Sequence, residues 1–325
     1  FPLPIEKQQV AEVHMIDFMQ IYLHRNKQPL NTQGEREFIA ALLDRFEMNA
    51  TALNNYLNCP LRFYYQNLIR VPGGRSENSE FGSAVHHALE KFFTKAKEQD
   101  DVFPSVDVMV SDFEWYMYKH RESFTKEAYQ RRIEYGNSVL RAYHDANIDE
   151  WKKHQIYSIE RLFRNIVIEG VPVKGMIDKM IFDGRHVTIV DYKTGDPDKA
   201  KKKLLGPSEK DPNGGDYWRQ GVFYKLMVEA YKLKDYQVTK TEFNFVEPDS
   251  SKKYVAPALT SVIPSPEELG IVRAQIKDTW HRIQQHEFYK GCGDEKCQWC
   301  NFVKEHKLYA DLHEIDTDGP EENEL

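Results

Sequence analysis

One segment constrains the fold more than any other part of the chain. From residue 156 to residue 192, apolar and polar side chains alternate with the period of β-strands. The pair Asp183-Gly184 within it is typical of a tight hairpin turn, so we expect three successive strands. Two more strand-like runs follow among helical patterns, at 236–247 and 253–262. The sequence therefore predicts an α/β fold with a mixed central sheet flanked by helices and a large helical N-terminal part.

Three polar side chains fall near the ends of the predicted strands. Asp191 and Lys193 lie two residues apart, so the period of a strand directs both to one face. Asp178 precedes the hairpin turn and can reach the same point. Converging carboxylates suit Mg²⁺ or Mn²⁺, and such an ion beside an ammonium group favours phosphodiester hydrolysis. Asp-x-Lys is also common where a strand emerges into solvent, so the triplet alone leaves that interpretation open.

Four short motifs occur in a fixed order between about residues 49 and 303. They are Gly82-Ser83-Ala84-Val85-His86, Gly175-Met176-Ile177-Asp178, Asp191-Tyr192-Lys193-Thr194-Gly195, and Gln220 with Tyr224. In this order and spacing they resemble the RecB-like branch of the PD-(D/E)XK nucleases, found at the ends of bacterial helicase-nucleases such as RecB and AddAB. The resemblance implies a restriction-endonuclease-like core and metal-dependent cleavage of DNA.

The resemblance also implies a role for each matching residue. His86, Asp178 and Asp191 would be metal ligands, together with the backbone carbonyl of Tyr192. Lys193 would be the catalytic lysine. Three further side chains would line the site: Gln220, Tyr224 and Glu160.

Two of these assignments have plain structural alternatives. Without the resemblance, His86 is more often a histidine on a helix surface. Glu160 is equally compatible with an exposed strand carboxylate among Arg161 and Arg164. Since histidine is an unusual ligand for Mg²⁺ and suits Mn²⁺ better, the choice of metal stays open.

The four cysteines group at two places, with Cys59 early and Cys292, Cys297 and Cys300 late. Thiolates spaced as C-x-x-C bind one metal ion or one corner of a cluster. In iron-sulfur members of the resembled family, one early and three late cysteines hold a 4Fe-4S cluster, which the resemblance therefore implies here. The spacing departs from that pattern, since His306 stands where the last cysteine is expected. Three outcomes stay open: a 4Fe-4S cluster, a zinc site on these thiolates or His306, and unmetallated thiols.

A group of lysines follows the third predicted strand, in a loop expected at about 195–215: Lys199, Lys201, Lys202 and Lys203. They could neutralise phosphates without reading bases, and a solvated loop is the alternative. The net charge of −7 does not decide between these, because without the seven acidic residues of 311–325 the remaining acidic and basic residues balance at 44 each.

The organisation of the chain follows from these patterns. We expect a helical lead-in from an upstream region at 1–48, the RecB-like nuclease domain at 49–310 and a flexible acidic tail at 311–325. The start at Phe1 without an initiator Met suggests a longer polypeptide. No apolar run reaches the length of a membrane span, and grouped cysteines without an export signal indicate a reducing, cytoplasmic location.

The sequence thus predicts a Mg²⁺- or Mn²⁺-dependent deoxyribonuclease, more an exonuclease than an endonuclease, that cuts single strands or duplex ends without sequence preference. Its expected context is a helicase-nuclease in DNA end resection and double-strand-break repair, with the helicase in the same polypeptide or in a partner subunit. The alternatives are a stand-alone nuclease of CRISPR-adaptation type, a catalytically silent domain that guides DNA, and an unrelated thiolate-metal interaction module.

Overall fold

The computed structural model describes four stretches of the chain: 32–72, 76–153, 157–248 and 258–305. The chain divides into two compact units, of which the larger runs from Phe46 to Tyr309. The smaller unit contains helix α1 (Thr32–Asp44). Most of the predicted lead-in, the acidic tail and His306 lie outside the described residues, and the predicted domain boundaries stay predictions.

The first half of the larger unit is helical. Its elements are α2 (Ala50–Asn58), α3 (Pro60–Phe63), a π-helical turn (Tyr64–Leu68), α4 (Glu77–Glu98), α5 (Val106–Lys119), a 3₁₀ turn (Arg121–Ser123) and α6 (Lys126–Trp151). Ser76 caps α4 by accepting a hydrogen bond from the Ser79 N–H at 3.2 Å. This cap fixes the start of the helix that carries His86.

The second half forms the predicted mixed sheet, in the order β1-β2-β3-β4-β5. The strands are β1 (Tyr157–Ile168), β2 (Val171–Asp183), β3 (His186–Lys193), β4 (Gln237–Phe245) and β5 (Ala258–Val262). Neighbours pair antiparallel except β3 and β4, which are parallel. Asp183 pairs with His186 across a turn in which Gly184 has φ +59°, which confirms the predicted hairpin.

A parallel pair requires a crossover connection, and the segment between β3 and β4 supplies it. It contains α7 (Pro197–Ala200), a 3₁₀ turn (Lys201–Leu204) and α8 (Asp216–Glu229). After the sheet follow α9 (Pro266–Gln284) and α10 (Gln298–Glu305). The predicted loop at 195–215 is thus partly helical.

Helices cover both faces of the sheet. Helices α4, α5 and α6 share a buried apolar cluster with Val190 and Tyr192 of β3. On the other face α8 packs on β4, where the Tyr217 and Phe243 rings stack with centroids 5.5 Å apart. Full burial of a side chain such as that of Phe243 contributes ~1.5–3 kcal/mol to the free energy of folding. The sheet is therefore fixed between two helical layers.

None of the helices in the described stretches combines the length and the apolar character that crossing a membrane requires.

Candidate active site

The candidate site lies where β2 and β3 separate. Regular pairing between these strands ends at Lys179 and Val190. Beyond that pair the Tyr192 N–H donates a hydrogen bond to the Asp178 carboxylate, with Oδ2 at 2.8 Å. The Asp178 side chain accepts this hydrogen bond in place of a backbone carbonyl of β2. Its carboxylate is therefore fixed in the opening between the two strands.

Helix α4 brings His86 to the same opening. Its Nε2 donates to the Tyr192 carbonyl oxygen at 2.9 Å, and its Nδ1 lies 3.5 Å from Asp178 Oδ2. One turn earlier, a Cβ atom at Gly82 would lie 3.0 Å from Thr194 Oγ1. The glycine of this motif therefore permits the close approach of α4 to the end of β3.

Glu160 of β1 joins this group. Ligand atoms of His86, Glu160 and Asp178 all lie within 4.8 Å of one another. Glu160 has φ +45°, a left-handed conformation that is rare for a non-glycine residue in a strand and is found at functional sites. Arg161, one of its predicted neighbours, donates instead to the Tyr236 hydroxyl at 2.7 Å. The structure thus places Glu160 beside the other two groups rather than among exposed arginines.

The charges of this group act strongly on each other. Burial lowers the pKa of His86, but the carboxylates of Asp178, Asp191 and Glu160 more than offset it and bring the pKa to about 9. Burial and the charge of Asp178 raise the pKa of Glu160 to about 7. The carboxylates of the opening therefore stabilise a positive charge between them.

A second group, next to the first, surrounds Lys193. Its Nζ lies 2.7 Å from Asp191 Oδ2 and donates to Gln220 Oε1 at 2.9 Å. The Gln220 amide in turn donates to Asp191 Oδ1 at 3.0 Å and to the Tyr224 hydroxyl at 2.8 Å. Burial lowers the pKa of Lys193, but contact with Asp191 reverses the effect and raises it above the ordinary value. The ammonium group is thus held charged and in one position.

The structure shows where the predicted site residues lie relative to each other. His86, Asp178 and Glu160 meet, and the Tyr192 carbonyl lies beside them. Asp191 interacts with Asp178 and His86 through its charge, while its oxygens contact Lys193 and Gln220. The predicted ligands thus form two adjoining groups rather than one.

The predicted lysines follow β3 and are exposed: Lys199, Lys201, Lys202 and Lys203. Lys201 forms an ion pair with Asp198 at 2.6 Å. Lys203 lies over the Tyr217 ring at 5.1 Å, and Lys193 lies over the same ring at 4.6 Å. Through this ring, the 3₁₀ turn adjoins the second group.

Sequence reasoning missed Glu247, which follows β4. Its carboxylate accepts hydrogen bonds from the Gly195 N–H and from the Tyr135 hydroxyl, the latter at 2.8 Å. It therefore holds the segment directly after Lys193. A signal existed, because the carboxyl ends of parallel strands meet at one edge of a sheet.

Arg219, one residue before Gln220, was also missed. It is 1% exposed, and its guanidinium donates to acceptors on three segments. These acceptors are Gln275 Oε1, Asn54 Oδ1, Asp216 Oδ1 and the carbonyls of Asn213 and Gly214. Helix α8 is thus anchored at the turn that carries Gln220. No local pattern in the sequence indicates this burial.

The four cysteines form a separate cluster. Their Sγ atoms all lie within 4.8 Å of one another, and all four are free thiols. Cys59 and Cys297 are buried, Cys300 is half-buried and Cys292 is exposed. The early and late cysteines therefore meet, as the family resemblance implies.

Comparisons with known proteins agree with this architecture. The model of the family described as the PD-(D/E)XK nuclease superfamily matches residues 47–304. The crystal structure of a "putative exonuclease" from Eubacterium rectale has a TM-score of 0.53 and 12% identity, covering 90% of this chain and 100% of that chain. At this identity the likeness concerns the fold alone.

Two other solved structures are more distant. SSO0001 has a TM-score of 0.29 and 14% identity, with 68% of this chain and 83% of that chain covered. Protein VC1899 from Vibrio cholerae has a TM-score of 0.20 and 15% identity, with 74% of this chain and 57% of that chain covered. At these TM-scores neither likeness indicates a shared fold, and no curated protein matches the chain.

Proposed function

Because the chain belongs to the PD-(D/E)XK nuclease superfamily, we propose that it hydrolyses phosphodiester bonds of DNA with the help of a divalent metal ion. The observation that carries the proposal is the adjacency of two groups. An opening lined by His86, Glu160 and Asp178 lies beside an ammonium group, Lys193, held by Asp191 and Gln220.

The donor set of the opening fits a divalent ion. It combines two carboxylates, one imidazole and a backbone carbonyl, and the imidazole favours Mn²⁺ over Mg²⁺. We propose His86, Asp178 and the Tyr192 carbonyl as ligands from the opening, with Glu160 beside them and Asp191 as a ligand from the adjoining group. When bound, such an ion activates water and withdraws charge from a phosphodiester oxygen.

The chain's own residues supply positioning and charge. Lys193 stays protonated because Asp191 contacts it, so its N–H groups can bind a phosphate oxygen where negative charge develops. Gln220 holds Lys193 and Asp191 at once, and Tyr224 holds the Gln220 amide. Their role is to keep the ammonium group in one orientation before the substrate arrives.

The decisive experiment uses end-labelled single- and double-stranded DNA with Mg²⁺ or Mn²⁺. We expect Lys193→Ala and Asp191→Ala each to reduce cleavage by at least ~10²-fold, as removal of one transition-state contact does. Lys153→Ala, which changes an exposed lysine whose ammonium group pairs with Glu150 in α6, is the matched control. Circular single-stranded DNA should resist the enzyme if it is an exonuclease. Cleavage at the wild-type rate by a folded Lys193→Ala protein contradicts the proposed site.

For the biological context we propose DNA end resection and double-strand-break repair within a RecB-like helicase-nuclease. Its support is the order of the four sequence motifs. A helicase reading frame fused or adjacent upstream is the expected finding, whereas an isolated gene favours a stand-alone nuclease. The intact Lys193 network argues against a silent scaffold. We propose a cytoplasmic location because four free thiols need a reducing compartment.

We further propose that the four cysteines hold a metal centre. It would join the segment between α2 and α3 to the segment before α10, since Cys59 and the late cysteines meet there.

A further inference from the structure

The sulfur-to-sulfur distances indicate what kind of metal centre the cysteines can hold. Sγ of Cys59 lies 3.8 Å from that of Cys300 and 3.7 Å from that of Cys297, and Cys292 lies 3.7 Å from Cys300. Four Zn–S bonds of ~2.3 Å in a tetrahedron place the sulfurs about 3.8 Å apart. The three sulfur-to-sulfur distances match the edge length of this tetrahedron.

A four-iron cluster does not fit the same sulfurs. Each thiolate of a 4Fe-4S cluster binds a different iron, so irons and sulfides stand between any two of them. The cysteine sulfurs must then be well separated, whereas here they are in contact. The cluster implied by the family resemblance thus disagrees with this geometry.

The glycines beside Cys292 shape the turn to the cluster. A Cβ atom at Gly291 would lie 2.7 Å from the Cys300 sulfur. Gly293 has φ +79°, which side chains rarely adopt. The turn can therefore bring Cys292 against Cys300 only with glycine at both places.

We infer that Cys59, Cys292, Cys297 and Cys300 bind a single zinc ion. Four thiolates leave no open coordination position, so the site is structural rather than catalytic. It shares no residue with the opening around Asp178. Zinc bound at this site can therefore be measured independently of DNA cleavage.

The test is the metal content of the full chain, produced with both iron and zinc in the medium and purified without oxygen or chelator. We expect about one zinc per chain, negligible iron and no visible absorbance. About four irons with sulfide and a brown colour overturn the inference. So does a metal-free protein whose four thiols all react with a disulfide reagent.

A thiol titration keeps the inference testable without any variant. Stepwise addition of a mercurial reagent, with a chromogenic chelator present, should release one zinc as the four thiols react. Release of zinc before any thiol reacts identifies loosely bound metal and overturns the inference.

Among variants, Cys300→Ser should lose at least about nine-tenths of the zinc. Glu295→Ser, at an exposed position of the same segment, should keep it. If Cys300→Ser fails to fold, the titration of the wild-type chain decides. Equal zinc in both soluble variants contradicts the assigned ligands.

Discussion

Lys179 directly follows Asp178, yet its ammonium group lies among aromatic rings and outside the candidate site. Its Nζ is 3.8 Å from the Phe93 ring centroid and 5.1 Å from that of Tyr157, and the residue is 2% exposed. Burial lowers the pKa of Lys179 from 10.5 to about 7, and the charge of Glu242 offsets this only in part. The buried amine of Lys179 therefore lowers the stability of the folded protein.

This burial predicts a dependence of stability on pH. Between pH 7 and 10.5 the unfolded chain binds more protons at Lys179 than the folded one. The amount by which Lys179 lowers the free energy of unfolding therefore shrinks as pH rises. Lys179→Met, which preserves volume, should raise the free energy of unfolding at pH 7. The difference between variant and wild type should shrink by about 2 kcal/mol at pH 9.

Urea unfolding at both pH values measures this difference. Lys153→Met, at an exposed position, is the matched control and should show no pH-dependent difference from wild type. A gap between Lys179→Met and wild type that is the same at pH 7 and pH 9 would refute the lowered pKa.

At the scale of residues, the sequence predicted what depends on local periodicity. Strand spacing and the hairpin turn brought Asp178, Asp191 and Lys193 into adjacent positions without any knowledge of the fold. The burial of Lys179 was not predictable, because the aromatic rings around it come from a helix and a strand distant in sequence. Glu247 differs from Lys179: the parallel pairing of β3 and β4 could have indicated it, although its partner, Gly195, is 52 residues away.

The contact between α5 and α6 depends on one position without a side chain. A Cβ atom at Gly136 of α6 would lie 2.2 Å from Cζ of Phe113, which is fully buried in α5. The Phe113 ring packs edge-to-face on the ring of Phe81, with centroids 5.8 Å apart, so its movement away from the added Cβ is restricted. The helical layer behind His86 therefore requires glycine here.

We expect Gly136→Ala to destabilise the protein by about 1–3 kcal/mol through overpacking, despite the better helix propensity of alanine. Gly270→Ala is the matched control, since Gly270 lies in α9 with no atom within 4 Å of its added Cβ. It should stabilise by up to about 1 kcal/mol. Thermal or urea unfolding should show changes in stability of opposite sign for the two variants. Changes of the same sign would contradict the close contact between Gly136 and Phe113.

Elements were predictable in kind but not in detail. The mixed sheet is confirmed because alternation and the turn residues of β2 and β3 are strong local signals. The short helix and 3₁₀ turn at 197–204 were expected as loop, because lysines and glycines in the surrounding segment carry no helical period. Their shape depends instead on contacts with α8, such as that of Lys203 with Tyr217.

For the whole molecule, charge alone does not indicate where DNA lies, because the body outside the acidic tail is balanced. The exposed lysines after β3 are the proposed contact. Lys202→Ala with Lys203→Ala should weaken binding of single-stranded DNA and reduce the slope of log K against log salt by about 1.4. Fluorescence anisotropy on a Lys193→Ala background measures this without cleavage.

The control for this prediction is Lys232→Ala with Lys234→Ala. These lysines are also exposed. They precede β4, which is parallel to β3, and so lie at the end of the strands opposite to the site. Their removal should leave the salt slope unchanged. An equal loss of slope in both pairs would show that the lysines after β3 have no special role.

The meeting of Cys59 with the late cysteines has a consequence for how the protein is destroyed. With the proposed zinc bound to all four sulfurs, residues 59 to 300 would form a closed ring of covalent and coordinate bonds. A protease that hydrolyses a peptide bond inside the ring, for example beside Val102, which is 63% exposed, opens it without separating two fragments. Separation of the two fragments would then require a second cut or release of the zinc, so the proposed site would link resistance to proteolysis to how tightly the thiolates hold the metal.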